Sequence, residues 1–295
     1  MESLHACLVC DNESFTNFLT CPDHFLTLET FTICKCDNCG FLFTNPRPAA
    51  EELPAYYKSA EYISHSNSSR GIQNMLYQWV RKYTLGRKYN LIQNYKKGGR
   101  ILDIGCATGE FLNYFKIRNW QTFGIEPDEQ ARKMGISNYA IEIENEDFLL
   151  KLPDASFDVI TMWHVLEHVP LLNERIAEIK RLLSPDGILF IAVPNPESQD
   201  AKLYGSFWAA YDVPRHLYHF TQTTITKLFS KHHFELVQNI PMKFDSFYVS
   251  MLSEKYMQVK NRFFNGILSG FVSNRAAKRS GEYSSLIYAF RKVSA

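Results

Sequence analysis

No apolar run in the 295-residue chain approaches the ~20 residues that cross a bilayer, so a spanning helix is excluded. The opening MESLHACLVC lacks a basic start followed by an apolar core, so it does not read as a signal peptide, and a cytoplasmic protein is expected. Net charge is almost absent: 32 Lys and Arg against 31 Asp and Glu leave +1. Without an overall basic field, nucleic acid is a disfavoured partner, although a local patch stays open. Internal repeats and low-complexity segments are also missing. Cysteine stops at residue 106, and six of the seven fall before residue 40. In a reducing compartment these are not disulfides, and such crowding is hard to ascribe to core packing.

What is present falls into three regions. Residues 1–48 are cysteine-rich, short on helical periodicity, and end in FTNPRP, where Pro46 and Pro48 enforce an extended exit. Residues 49–98 contain the polar loop SHSNSSR and a helical segment with Met75, Leu76, Trp79 and Tyr83 at roughly helical spacing. Gly98 and Gly99 end that segment. Residues 99–295 alternate strand and helix: RILDI, a helix at 110–117, WQTFGIE, a helix at 129–134, a short strand in YAIEI, FDVITMW, a helix at 172–183, the turn SPDG, and ILFIAVP. This rhythm predicts a doubly wound α/β fold, a parallel sheet covered by helices. Later come a helix at 223–231 and two strands, FELVQNI and SSLIYAFRK, which suit a terminal antiparallel pair.

The stretch ILDIGCATGEFL runs from a buried-looking strand through a glycine-rich turn into a helix. Such a turn at a strand's carboxyl end is a natural ligand site, because small residues admit a ligand to the backbone and the helix offers free N–H groups. A dinucleotide fingerprint would read G-x-G-x-x-G. Here Gly105, Ala107 and Gly109 are spaced G-x-A-x-G, with Asp103 at the strand end, and Glu126 follows 21 residues after Gly105 in FGIEP. A carboxylate at that place accepts hydrogen bonds from both ribose hydroxyls.

This D-x-G-x-A-x-G arrangement resembles motif I of class I S-adenosylmethionine-dependent methyltransferases, in particular the branch containing ubiquinone-biosynthesis-type O-methyltransferases. The resemblance implies a Rossmann-like seven-stranded sheet with the last strand antiparallel, which suits SSLIYAFRK. It implies that Gly105, Cys106, Ala107 and Gly109 cradle the methionine part of S-adenosylmethionine. Asp103 would fix the loop or the amino group, Glu126 would hold the ribose, and Asp147, in IENEDF, would stand on the adenine side. Trp163 and His164 would lie at the end of the fourth strand, beside the sulfonium.

HVLEH, His164 to His168, matches a zinc-peptidase H-x-x-E-H pattern when read alone. That chemistry needs a sustained helix, whereas an abutting strand and Pro170 fit a short connecting turn, with Glu167 and His168 orienting a substrate or capping the next helix. A second cluster, WAAYDVPRHLYHF, sits where relatives place a substrate-covering insertion. In it Arg215 has the chemistry to clamp an anionic group, and His216 or His219 to take a proton from the acceptor. The structural alternative is an Asp212–Arg215 ion pair with the histidines packed on Tyr211 and Tyr218.

Cys7-x-x-Cys10 and Cys36-x-x-Cys39 form two thiolate turns, the arrangement that closes a tetrahedron around a structural Zn2+. Cys21, His24 and Cys34 are the nearby substitutes. The head therefore reads as a small zinc-ribbon-like module, residues 1–48. Residues 49–98 read as a helical linker or lid with Tyr56, Tyr57 and Tyr62 as lining aromatics, and residues 99–295 as the methyltransferase domain. The expected reaction is methyl transfer, with oxygen the favoured acceptor atom, to a small-molecule, glycan- or lipid-linked substrate. Two alternatives stand beside it: an RNA methyltransferase whose ribbon grips nucleic acid, and a non-catalytic S-adenosylmethionine-binding or interaction protein. The sequence carries no sign of an oligomeric state.

Overall fold

The computed structural model describes residues 1–57 and 72–293, with side chains from residue 82 onward in the helix that opens the second stretch. Tyr62 and the SHSNSSR segment lie outside the described residues, as do the side chains of Met75, Leu76 and Trp79. Contacts divide the chain into two compact units: Met1–Ser59 with His164–Arg175 and Ile191–Ala289, and Ala60–Trp163 with Ile176–Phe190 and Phe290–Ala295.

The second unit carries the alternating elements: α1 (Ile72–Gln93), β4 (Arg100–Ile104), α2 (Glu110–Lys116), β5 (Gln121–Ile125), α3 (Glu129–Tyr139), β6 (Glu142–Glu144) and β7 (Phe157–Trp163). β4 pairs in parallel with β5 and with β7, with Asp103 opposite Gly124 on one side and Thr161 on the other. Ile101, Leu102, Ile125, Val159, Ile160 and Met162 have no solvent exposure. Helices on both faces of a parallel sheet make such strands read as continuous apolar runs, each fully buried side chain contributing about 1.5–3 kcal/mol. Asp128 caps α3 by accepting from the Ala131 N–H at 2.7 Å, and Ala140, at φ 51°, ends it. Gly124 leaves room for the turn and for α2 against β5, since a Cβ there would stand 2.6 Å from Cys106 Sγ and 3.0 Å from Leu112 Cδ1.

The seven-stranded sheet has the order β10-β11-β8-β7-β4-β5-β6, where β8 is Leu183–Pro194, β10 Phe234–Pro241 and β11 Ser285–Lys292, the last strand antiparallel. α4 (Leu172–Leu182) runs directly into β8, which starts at Leu183, so SPDG lies within the strand rather than forming a separate turn before it.

In the first unit, β1 (Phe15–Pro22), β2 (Thr30–Cys36) and β3 (Leu42–Thr44) form an antiparallel sheet, and the two-residue β9 (Tyr218–His219) adds a fourth strand against β3. α5 (Gln199–Tyr204) precedes β9 in the chain and α6 (Gln222–Lys231) follows it, α6 with a capping box at Thr221. Between β10 and β11 stand α7 (Asp245–Tyr256) and α8 (Arg262–Ser280), which the sequence pattern leaves unassigned. Their contact face is made of small and polar residues: Ser246, Ser250 and Ser253 on α7 and Gly266, Gly270, Ser273 and Ala277 on α8 are buried. A Cβ at Gly266 would stand 2.6 Å from Met251 Cα. Hydrophobic periodicity does not report such a face, because Phe264, Leu268 and Phe271 point outward. Among the described residues no helix is long and apolar enough to cross a membrane.

Candidate functional site

In the second unit, the turn after β4 alternates in hand. Gly105, Ala107 and Gly109 have φ of 75°, 47° and 74°, while Cys106 and Thr108 between them do not have positive φ. Alternation of this kind converges backbone N–H groups into an anion-accepting concavity, and the start of α2 adds its own free donors. Glu126 clasps the turn: one carboxylate oxygen accepts the Ala107 N–H at 2.8 Å and the other the Asp128 N–H at 2.9 Å. Each oxygen keeps a further lone pair. Burial raises the Glu126 pKa, opposed by the two N–H donors. Cys106 turns its thiol inward, 6 % exposed, so its backbone rather than its sulfur borders the turn.

Asp103 is 2 % exposed and accepts from Thr161 Oγ1 at 2.6 Å. Burial pushes its carboxyl up to about 7, against the Thr161 hydrogen bond and the Lys88 charge. Lys88, on α1, places its ammonium 3.9 Å from the centre of the Trp163 ring, a close cation–π contact. Trp163 also meets Phe111 edge-on at 5.4 Å, and its buried Nε1–H has no hydrogen-bond partner among the described residues. Asp147 sits exposed in a 3-10 turn, Glu146–Lys151, one residue before Phe148, which stacks on Phe123.

In the first unit, HVLEH is a 3-10 turn, Leu166–His168, and no sustained helix. His164, at φ 57°, bonds Asp245 through Nε2 at 3.0 Å and faces Glu167 with Nδ1 at 3.5 Å. Although its packed surroundings oppose the charge, Asp245 and Glu167 push its pKa up to about 9. His216 binds the Ala210 carbonyl through Nδ1 at 2.8 Å, and its ring lies edge-on to His168 at 4.5 Å. His168 uses Nδ1 on the Arg215 carbonyl at 3.1 Å and the Tyr57 hydroxyl at 2.9 Å. Burial and the neighbouring His216 lower its pKa to about 4. Burial, with His216, lowers His219 to about 3, and its Nε2 approaches Thr44 Oγ1 at 3.5 Å.

Arg215, 1 % exposed, directs its guanidinium donors to Asp212 at 2.7 and 3.0 Å, Asp23 at 2.7 and 3.4 Å, and the Tyr56 carbonyl at 3.1 Å. The guanidinium is thus occupied within the protein, with Asp23 joining the Asp212 pair weighed in the sequence, and it holds the loop that carries His216. Asp23 stays ionised despite its burial because Arg215 and the Thr27 donors lower its pKa.

Cys7, Cys10, Cys36 and Cys39 bring four sulfurs within 4.8 Å of one another, with Cys7–Cys39 and Cys10–Cys36 each at 3.5 Å. Gly40, at φ 78°, closes the second turn by donating to the Cys36 carbonyl at 2.9 Å. The substitutes are elsewhere: Cys21 and His24 contact the Ser206 carbonyl, and Cys34 the Asn45 carbonyl.

Sequence reasoning missed Lys88, Thr161, Asp23 and Asp245. Thr161 was within reach, since it faces Asp103 once FDVITMW is paired with RILDI. The other three have no local signal.

Sheet order, turn and clasping acid together define a class I S-adenosylmethionine-dependent methyltransferase fold. The chain belongs to the family described as "Methyltransferase domain", which residues 77–239, more than half of it, match. It is similar to the ubiquinone biosynthesis O-methyltransferase of Actinobacillus pleuropneumoniae serotype 5b (strain L20), 36 % identical over 109 residues, 33 % of this chain and 47 % of that protein. The corresponding protein of Pseudomonas syringae pv. tomato is 29 % identical over 122 residues, 39 % of this chain and 52 % of that protein. The chain thus spans about half the length of the curated relatives it matches. Among solved structures, the [4+2]-cyclase SpnF superposes with a TM-score of 0.51 at 18 % identity, covering 71 % of this chain and 81 % of that one. That likeness concerns the fold alone, and a cyclase among the neighbours is a reminder that this fold serves more than one chemistry.

Proposed function

We propose that the chain transfers the methyl group of S-adenosylmethionine to a hydroxyl of a small-molecule, glycan- or lipid-linked acceptor. The observation that carries the reading is the Glu126–Ala107 clasp, which joins an N–H-lined turn to an acid with lone pairs to spare. The residues suit the cofactor. Backbone at Gly105, Cys106, Ala107 and Gly109 receives its amino-acid end, and Lys88 and Asp103 offer opposite charges for its carboxylate and ammonium. Glu126 accepts the ribose hydroxyls, and Asp147 stands on the adenine side. The unpartnered Trp163 N–H suits a cofactor oxygen, and His164 follows it in the chain. When bound, the cofactor supplies a methyl group on a sulfonium leaving group.

On the acceptor side, His216 is the group that handles the hydroxyl proton: its Nδ1–H donates to Ala210, leaving Nε2 with a lone pair. His164, braced by Asp245, orients the acceptor. Arg215 is a positioning residue that fixes the His216 loop through Asp212 and Asp23. Oxygen as acceptor atom follows the name of the curated relatives.

Residues 1–48 serve as a zinc-ribbon-like module in which Cys7, Cys10, Cys36 and Cys39 hold one structural Zn2+; four thiolates leave no open position for catalysis. Residues 49–98 serve as a lid segment and 99–295 as the catalytic domain, working in a reducing cytoplasm. The test is calorimetry with S-adenosylmethionine, followed by incubation with methyl-labelled cofactor and fractionated cell extract. Saturable binding and a labelled, His216-dependent product are expected. Absence of cofactor binding by the wild-type chain overturns the reading.

A further inference from the structure

Among the described residues three carboxylates in the first unit have no solvent exposure: Asp23, which Arg215 and the Thr27 donors hold, Asp200 and Glu167. Asp200 is fully served: it accepts from Trp208 Nε1 at 2.8 Å, Ser273 Oγ at 2.6 Å and Ser284 Oγ at 2.6 Å. Glu167 is the opposite case. Among the described residues neither of its oxygens accepts a well-formed hydrogen bond; the one nearby cation is His164, whose Nδ1 stands 3.5 Å from Oε1. Burying a carboxylate without partners is strongly unfavourable, and protonating it leaves a donor with nothing to bind. With one imidazole at the edge of hydrogen-bond reach and nothing on its other oxygen, this buried acid has room for a further cationic partner.

The neighbours of Glu167 say what that group is. One ligand atom each from Glu167, His168 and His216 lies within 4.8 Å of the others. Both histidines use Nδ1 on a backbone carbonyl, Arg215 for His168 and Ala210 for His216. A carbonyl only accepts, so in His216 the proton sits on Nδ1 and Nε2 keeps its lone pair; in His168 the Arg215 carbonyl calls for the same tautomer, with the Tyr57 hydroxyl, 2.9 Å from the same nitrogen, as a second partner. Locking the tautomer in this way is how proteins prepare imidazoles to bind metals. His216 also lines a small hollow with Pro194, Pro196, Trp208 and His219.

We infer that Glu167, His168 and His216 form a second metal site, distinct from the cysteine quartet, for one divalent transition-metal ion. Two imidazole nitrogens and one carboxylate suit Zn2+, Co2+, Mn2+ or Fe2+, and three protein ligands leave coordination positions open. Donors about 2.1 Å from one ion stand roughly 3–4 Å apart, so side-chain rotation of about an ångström closes the set. His164 braces the outer face of Glu167, at 3.5 Å, while its other nitrogen is tied to Asp245.

As an account of acceptor activation this rests on the methyltransferase reading. With an ion bound, the His216 Nε2 lone pair would be spent on the metal, so His216 would act by holding the ion instead of taking the proton itself, and an open position would receive the acceptor hydroxyl oxygen and raise its acidity. The O–H bond breaks with its electron pair kept on oxygen, and the proton leaves to solvent water.

The experiment loads the purified full-length chain with Co2+ and reads cobalt per chain together with the visible spectrum. Wild type is expected to hold two equivalents, one with intense thiolate charge-transfer bands and one with weak ligand-field bands only. Glu167→Gln and His216→Ala should each lose one equivalent and keep the thiolate bands, which report that the head is folded. A wild type that holds a single, thiolate-bound equivalent overturns the inference, as do both variants retaining two. Calorimetry on the same samples separates the two readings: two equivalents without S-adenosylmethionine binding would defeat the methyltransferase reading and leave the second metal site standing.

Discussion

The turn at residues 103–109 and the cluster around His216 are built by opposite means. The turn is local: Ala107, Glu126 and Asp128 lie within one strand–helix–strand passage and meet through backbone donors. The cluster is drawn from afar, with Asp23, Tyr57, Glu167, His168, Asp212, Arg215, His216 and Asp245 arriving on separate segments. A local site draws its precision from backbone conformation, so it tolerates side-chain change outside a few positions. A distributed site draws its precision from buried ion pairs and locked tautomers, so it fails when one distant member is lost.

The comparison breaks most visibly at Asp23. Asp23→Ala leaves the buried Arg215 guanidinium with Asp212 as its single carboxylate, beside the Tyr56 carbonyl, and about 3–5 kcal/mol of stability should be lost, read by urea denaturation. A loss below 1 kcal/mol would mean that the cluster does not depend on this distant partner. Next is Glu126→Ala, expected to weaken S-adenosylmethionine binding about 100-fold by removing charged hydrogen bonds to turn and ribose. Unchanged affinity in calorimetry would defeat the clasp.

Third comes pH. The Asp103 carboxyl is raised to about 7 by burial, and a bound cationic cofactor favours its ionised form. Affinity should therefore rise with pH up to about 7, falling by as much as about tenfold per unit below it, and Asp103→Asn should flatten the profile. Without cofactor the sign reverses for stability. The folded chain binds this proton more tightly than the unfolded one, so its contribution is present at low pH and is lost as pH climbs from the ordinary carboxylate range through about 7. A slope that survives Asp103→Asn assigns the effect elsewhere.

The smallest effect is expected at Ala107, held at φ 47°. Ala107→Gly should relieve up to about 1 kcal/mol of left-handed strain, measured as a raised Tm, with cofactor affinity kept. A lowered Tm would show that alanine packing matters more than its backbone strain.

How much of this was legible follows the same division. RILDI, FGIE and FDVITMW announce their strands because burial on both faces makes them continuous apolar runs, and the turn announces itself by small residues between them. The cysteine spacing likewise reveals a quartet, since each pair sits in one turn. Helices α7 and α8 escape because their buried faces are serine, glycine and alanine while phenylalanines point outward. Arg215 and His216 were singled out by residue type, but the Asp23 that occupies the arginine and the Ala210 carbonyl that fixes the His216 tautomer belong to tertiary structure. Glu167 is the sharpest case: HVLEH suggests a metal through helical spacing, whereas the folded chain gathers Glu167 and His168 with His216 across a 3-10 turn.

The two-residue strand at Tyr218–His219 has a consequence for how the chain assembles. The cysteine quartet and the β1–β2 pairing are complete within the first 39 residues, so they can form as soon as that segment leaves the ribosome. The outer edge of β3 then waits for some 175 further residues before its partner is made. During that interval its main-chain groups are an open template for any passing strand. A head cut free after Tyr57 would carry that edge permanently into solution, where the nearest available partner is the same edge on another copy.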